Sequence, residues 1–233
     1  MDFHNKIKIF YDGVNIGGFG SLEYIKGYTT NPTLMRKGIQ SKNYKDFAIN
    51  FLKKAKGLPV SFEVFADDLD EMIVQAKEIS TWGKNIYIKI PIINTKGEST
   101  ERVITKLNEL GIKVNITAVF TKEQIDIVNK SIDGSISNII SIFSGRIADT
   151  GINPIDTCKY AVELLKNRNI EVLWASSREV YNIFQAIDCG CHIITVSDNV
   201  FKKIHNIGKD LSQFSLETVK MFRNDAINSG IKL

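Results

Sequence analysis

The chain has little of what builds a small secreted domain: its 233 residues include three cysteines (Cys158, Cys189 and Cys191), four prolines and three histidines. Three is an odd number of thiols, and no charged segment followed by an apolar one opens the chain, so a disulfide framework and a secretory leader are not expected. Long hydrophobic runs are missing too, since no stretch approaches the roughly 20 residues that a membrane helix needs. No five like charges follow one another, so there is no basic arm for nucleic acid, and the net charge of +4 comes from 30 basic and 26 acidic residues spread along the length. A glycine-rich dinucleotide fingerprint is also missing. "DGVNIGGFG" (12–20) follows the first strand signal without the G-x-G-x-x-G spacing that cradles a pyrophosphate.

What is present is ordinary in composition, 43% hydrophobic and 24% charged, which fits a folded globular chain. The expectation is one domain over residues 1–233, located in the cytoplasm, with neither membrane nor nucleic acid as partner.

Short β-rich apolar segments recur: "IKIFYD" (7–12), "KGYTT" (26–30), "VSFEVF" (60–65), "NIYIKIP" (85–91), "KVNITAVF" (113–120), "ISNIISIF" (136–143), "IEVLWAS" (170–176) and "HIITVS" (192–197). Between them run segments of helical periodicity such as "YKDFAINFLKKAKG", "LDEMIVQAKEISTWG" and "TKEQIDIVNKSI". The first crossover, "NIGGFGSLEYI", leaves little room for a helix. Eight strand signals with helical returns predict an α/β fold, a (β/α)8 barrel. Residues 199–233 add "NVFKKIHNIG" and "SLETVKMFRNDAINSG", read as two C-terminal helices, the second packing on the barrel or on a neighbouring subunit.

Strand parity sorts the side chains. Ile86, Ile88 and Ile90 share the face beneath the helices, which turns Tyr87, Lys89 and Pro91 inward. The same alternation sends Ser61, Glu63 and Phe65 inward, then Asn115, Thr117 and Val119 (with Ile116 and Ala118 outward), then Ile139, Ser141 and Phe143. Asp12, Asn31, Ser176 and Arg178 fall at strand ends, on the rim where barrel enzymes place their chemistry. A lone strand lysine is usually on a solvent face, and a lone inward glutamate can simply pair with it. Several polar groups converging from separate strands at one end are harder to dismiss, because buried charge is costly unless paired or functional.

An amine held among apolar side chains has its charged form disfavoured and can act as a nucleophile, forming a Schiff base with a carbonyl. The iminium is an electron sink, which makes carbon–carbon cleavage accessible without a metal. Glu63 and Thr117 could manage protons through a shared water, and Asp12 could take a proton from a substrate hydroxyl. Arg146 and Arg178, with Ser176 as a donor, suit a phosphate.

These residues lie in segments that resemble the transaldolases, especially the short type that includes the fructose-6-phosphate aldolases, from "IFYD" to about "TVSDNVFKKI". "GYTTNPTLM" (27–35) is similar to the family's T-T-N-P-S signature, "IYIKIP" (86–91) to the segment with its Schiff-base lysine, and "SFEVF" to the strand with its acid–base glutamate. "NITAVFTKEQ" resembles the strand with the catalytic threonine, "ISIFSGRIAD" the S-P-F-V-G-R-I-D-D stretch and "VLWASSREV" the phosphate-binding A-S-F-R segment. The resemblance implies Lys89 as nucleophile, Asp12 as base of the aldol step, and Glu63 and Thr117 for water and protons. It places Asn31 and Ser141 against the dihydroxyacetone hydroxyls and Arg146, Ser176 and Arg178 against the phosphate, with Thr29 and Phe143 as further substrate-binding residues. Fructose-6-phosphate aldolases have tyrosine and glutamine where this chain has Phe143 and Glu63, so both positions favour group transfer.

The resemblance further implies sugar phosphates as substrates, no cofactor, no metal, and a homo-oligomer of five or ten subunits. The chain departs from the family pattern at "DGVN", Tyr28, Ile142 and Ser177; Tyr28 and Ser177 bear on which sugar is held. Alternatives are an aldolase releasing free dihydroxyacetone, a biosynthetic relative using an unusual sugar, or an inactive barrel that binds a sugar phosphate. Cys189-Gly190-Cys191-His192 invites a zinc reading, but no second ligand pair is suitably spaced.

Overall fold

The computed structural model describes residues 3–14, 16, 24–38 and 43–231. The first crossover therefore lies outside the described residues, apart from Ile16, Tyr24 and Ile25.

Eight strands form one closed parallel barrel in sequence order: β1 (Lys8–Asp12), β2 (Ile25–Thr29), β3 (Val60–Glu63), β4 (Ile86–Pro91), β5 (Val114–Val119), β6 (Asn138–Ile142), β7 (Ile170–Trp174) and β8 (Ile193–Ser197). β8 returns to pair with β1. The outer layer holds α2 (Tyr44–Ala55), α3 (Leu69–Ser80), α4 (Glu101–Glu109), α5 (Lys122–Ser131), α7 (Ile155–Leu165) and α8 (Tyr181–Asp188). Their starts follow capping chemistry: Asp68 accepts from Asp70 and Glu71 N–H at the head of α3, and Thr121 with Gln124 forms a reciprocal capping box on α5.

Two further helices, α1 (Pro32–Gly38) and α6 (Ser144–Ala148), were not expected. Seven and five residues respectively are too short to display a helical period. The segment 199–208, expected as one helix, divides into α9 (Asp198–Phe201) and a 3-10 turn at Ile204–Asn206. Val200 and Ile204 are the buried residues of these two pieces, Phe201 packs partly buried against the core, and Gly208 (φ 80°) follows. α10 (Leu211–Ser229) begins at an Asp210 cap and none of its residues is buried.

The core has two parts. Between sheet and helices lie Ile86, Ile88, Ile90, Ile116 and their neighbours, each fully buried isoleucine contributing about 1.5–3 kcal/mol. Inside the barrel, Phe10, Tyr87, Ile139, Leu173 and Ile193 form an apolar floor. Gly27 makes room for it, since a Cβ there would lie 2.4 Å from the Phe10 ring. The floor separates the polar inward residues above it from the opposite end of the barrel, where Lys8 pairs with Glu171 at 2.7 Å beside Phe10 and Ile139.

Candidate active site

The inward residues of β1 to β6 and β8, joined by residues that follow β2, β6 and β7, enclose a cavity of about 430 Å³. It is lined by Asp12, Thr29, Asn31, Pro32, Thr33, Leu34, Glu63, Lys89, Thr117, Ala118, Ser141, Phe143, Arg146, Ala175, Ser176 and Thr195. It lies at the carboxyl ends of the strands, where βα segments can vary without disturbing the sheet.

Lys89 is 7% exposed, and its surroundings are not simply apolar. Glu63 and Lys89 are register partners on β3 and β4, with Nζ 3.0 Å from Glu63 Oε2, and Nζ also donates to the Thr30 carbonyl at 2.9 Å. The isoleucines that suggested an apolar cradle face the helices, so the resting lysine is held by an ion pair. A carboxylate is thereby placed to take the proton when the free amine forms.

Asp12 ends β1 and accepts from Thr29 Oγ1 at 2.7 Å. Burial raises its carboxyl above the usual aspartate range; the Lys89 charge and the Thr29 hydrogen bond oppose that rise, and the Glu63 charge adds to it. Such a carboxylate is a stronger base than an exposed one.

The T-T-N-P stretch has a structural reason. Asn31 Oδ1 caps α1 by accepting from Leu34 N–H at 2.9 Å, and Pro32 takes the first helical position, where no N–H is needed. Among the described residues the Asn31 amide NH₂ has no hydrogen-bond partner, and Asn31 stands at the cavity wall. Beneath, Ser141 donates to Asn115 Oδ1 at 2.7 Å, and Asn115 donates to Ser61 Oγ at 3.0 Å. Thr117 Oγ1 is buried and, among the described residues, has no hydrogen-bond partner.

Parity fails at the end of β5. The register shifts between Ile116 and Val119, and Ala118 adopts φ 55°, so Ala118 lines the cavity while Val119 joins the outer core, the reverse of simple alternation. Phe65 fails as well: β3 stops at Glu63, and Phe65 is an exposed ring stacked on Tyr44.

On the far wall, Arg146 of α6 has its guanidinium 5.9 Å from the Phe143 ring centroid, and Ser176 is held at φ 65°. Arg178 does not line the cavity. Its Nε donates to Asp149 Oδ1 at 3.1 Å and its Nη2 to Asp149 Oδ2.

The profile described as Transaldolase/Fructose-6-phosphate aldolase matches residues 9–232. The chain belongs to that family. A "Probable transaldolase" of Thermoanaerobacter sp. (strain X514) is 30% identical over 232 residues, covering 97% of this chain and 100% of that protein. A "Probable transaldolase" of Lactiplantibacillus plantarum is 34% identical over 205 residues, covering 85% of this chain and 88% of that one. A "Probable transaldolase 2" of Listeria monocytogenes is 29% identical over 203 residues, with 85% and 88% covered. The chain is thus an enzyme of the transaldolase and aldolase kind.

Within this transaldolase-family barrel, ten of the eleven residues singled out in the sequence share the cavity, and Arg178 stands outside it. Sequence reasoning passed over Thr33, Leu34, Ala175 and Thr195. Thr195 carried a signal, as the inward hydroxyl between Ile194 and Val196, both of which pack in the outer core. Tyr28 points away from the cavity and packs edge-on against Phe51 at 5.5 Å, and Ser177 donates to the Thr195 carbonyl at 2.7 Å. Neither departure from the family pattern lines the cavity. Cys189 caps α8 and leads through Gly190 toward β8, a helix-to-strand turn, and among the described residues no three His, Cys, Asp or Glu side chains are grouped to hold a metal ion.

Proposed function

We propose that this chain is a class I transaldolase that moves a dihydroxyacetone unit from a ketose phosphate, such as fructose 6-phosphate or sedoheptulose 7-phosphate, to an aldose phosphate. The observation that carries the reading is the Lys89–Glu63 pair at 3.0 Å in the same cavity as a half-buried Asp12. Deprotonated Lys89 attacks the ketose carbonyl, and loss of water, with Glu63 and Thr117 moving protons, gives the iminium. Asp12 takes the proton of the C4 hydroxyl as the C3–C4 bond breaks. The aldose leaves and the electron pair remains on the dihydroxyacetone carbon as an enamine. Attack of that carbon on a second aldehyde, with Asp12 returning the proton, and hydrolysis of the iminium complete the transfer.

The iminium accepts the electron pair, so the scheme calls for neither metal nor cofactor. Asn31, Thr29, Ser141 and Phe143 would face the dihydroxyacetone part, and Arg146, Ser176 and Arg178 the phosphate. Phe143 and Glu63, rather than tyrosine and glutamine, favour transfer over release of dihydroxyacetone. The reading extends to a one-domain cytoplasmic enzyme of pentose phosphate metabolism and to a ring of five or ten copies. The uncovered apolar side chains of α10, among them Val219 and Phe222, support an assembly.

Borohydride reduction with fructose 6-phosphate should trap a covalent adduct at Lys89, and its absence would sink the donor assignment. An acceptor-independent cleavage rate equal to the transfer rate would make the enzyme an aldolase instead.

A further inference from the structure

Asp149 is the one carboxylate of the "SGRIAD" stretch, and it caps the short α6 that carries Arg146. It engages Arg178 through a two-pronged contact, Nε to Oδ1 at 3.1 Å and Nη2 to Oδ2. Its carboxyl is held below the usual aspartate range, first by the Arg178 hydrogen bonds, which outweigh an opposing burial effect, and then by the Arg178 and Arg146 charges. One carboxylate therefore feels both guanidinium groups at this rim.

Arg178 is half exposed, and the backbone beside it is closely packed. A Cβ on Gly145 would lie 1.6 Å from the Ser176 carbonyl oxygen and 3.4 Å from Arg178 Nε, so the arginine crosses the bare α-carbon of Gly145. Gly145 N–H donates to the Ala175 carbonyl at 3.2 Å, and Arg178 N–H donates to Asn182 Oδ1 at 2.8 Å, which fixes both ends of the crossing.

A guanidinium has five N–H donors in a rigid plane, and a carboxylate on the Nε/Nη2 edge uses two of them. Among the described residues the edge bearing Nη1 and the second Nη2 hydrogen has no partner, which leaves it for another two-pronged acceptor. We propose that Asp149 is a positioning residue that clamps Arg178 by one edge so that the other is presented, beside Ser176 and Arg146, to the phosphate of the substrate. The clamp orders a long side chain before the ligand arrives, so less freedom is lost on binding. The inference rests on the phosphate subsite of the proposed function, but its test does not require turnover.

Inorganic phosphate is titrated into the full-length protein and its Asp149→Asn, Asp149→Glu and Arg178→Lys variants by calorimetry, and steady-state kinetics are measured with fructose 6-phosphate. Asp149→Asn should weaken phosphate about tenfold and raise KM by a similar factor, with kcat changed less than about twofold. Asp149→Glu should recover part of the loss. Arg178→Lys, which keeps the charge but has no fork, should lose as much, and adding Asp149→Asn to it should change affinity by less than about twofold. Unaltered or tighter phosphate binding in Asp149→Asn overturns the proposal, as does a fall in kcat with KM constant. Should Asp149→Asn fail to fold, undiminished phosphate affinity in Arg178→Lys overturns it equally. A missing Lys89 adduct counts against the transaldolase reading alone.

Discussion

Glu63 and Lys89 lie directly across from each other in the β3–β4 register, and their side chains meet at 3.0 Å, the glutamate 20% and the lysine 8% exposed at the side chain. Parallel pairing of two short strands thus delivers the ion pair without any loop being involved. Its functional meaning is that the charge pair costs desolvation which a hydrophobic pair would not.

Glu63→Gln keeps the shape and one acceptor but removes the counter-charge. Stability should fall by about 1–3 kcal/mol in urea unfolding, because a buried ammonium loses its partner. The transfer rate should fall by about 10²-fold. Full activity in this variant would remove Glu63 from proton handling.

Asp12→Asn should separate stability from activity. Burial raises the Asp12 pKa in the folded state, so the native protein binds its proton more tightly than the unfolded chain does. Stability associated with this group therefore declines as pH rises from the ordinary value of 3.8 toward the folded one. The variant should melt higher than the parent at pH 7 and no higher at pH 3, in paired calorimetric scans. Transfer activity at pH 7 should drop by about 10²–10⁴-fold.

Thr117→Val should be nearly silent in stability. Its hydroxyl is buried without a partner among the described residues, so the substitution removes no hydrogen bond and relieves an unsatisfied group. Midpoints in urea should match or exceed those of the parent, while kcat falls by about 10²-fold. A marked loss of stability would mean that the hydroxyl is bonded in solution.

α10 offers the test of assembly. Val219 and Phe222 are about 60% exposed on a helix none of whose residues is buried. If they are covered by another copy, Val219→Asp with Phe222→Asp removes two contacts of about 1.5–3 kcal/mol each from every interface. The mass measured by light scattering should fall to that of a single chain while the barrel's circular dichroism persists. An unchanged mass would mean that assembly does not use this face.

The sequence determined the barrel and most of its site by itself. Side chains alternate along a strand, and the segments carrying Lys89, Glu63, Thr117 and Ser141 keep that alternation as far as those residues, so all four could be turned inward before any contact was seen. Three matters were settled only by the tertiary structure. The bulge at Ala118 exchanges the faces of Ala118 and Val119, because a left-handed residue breaks the period on which parity depends. The Lys89 amine meets Glu63 in an ion pair, because strand register, which local pattern does not encode, decides which neighbour stands opposite. Arg178 is held by Asp149 at the rim and does not line the cavity, because the pair spans 29 positions of sequence and forms only when α6 closes onto the end of β7. Local periodicity fixes which way a side chain faces, and the packing of distant segments fixes what it finds there.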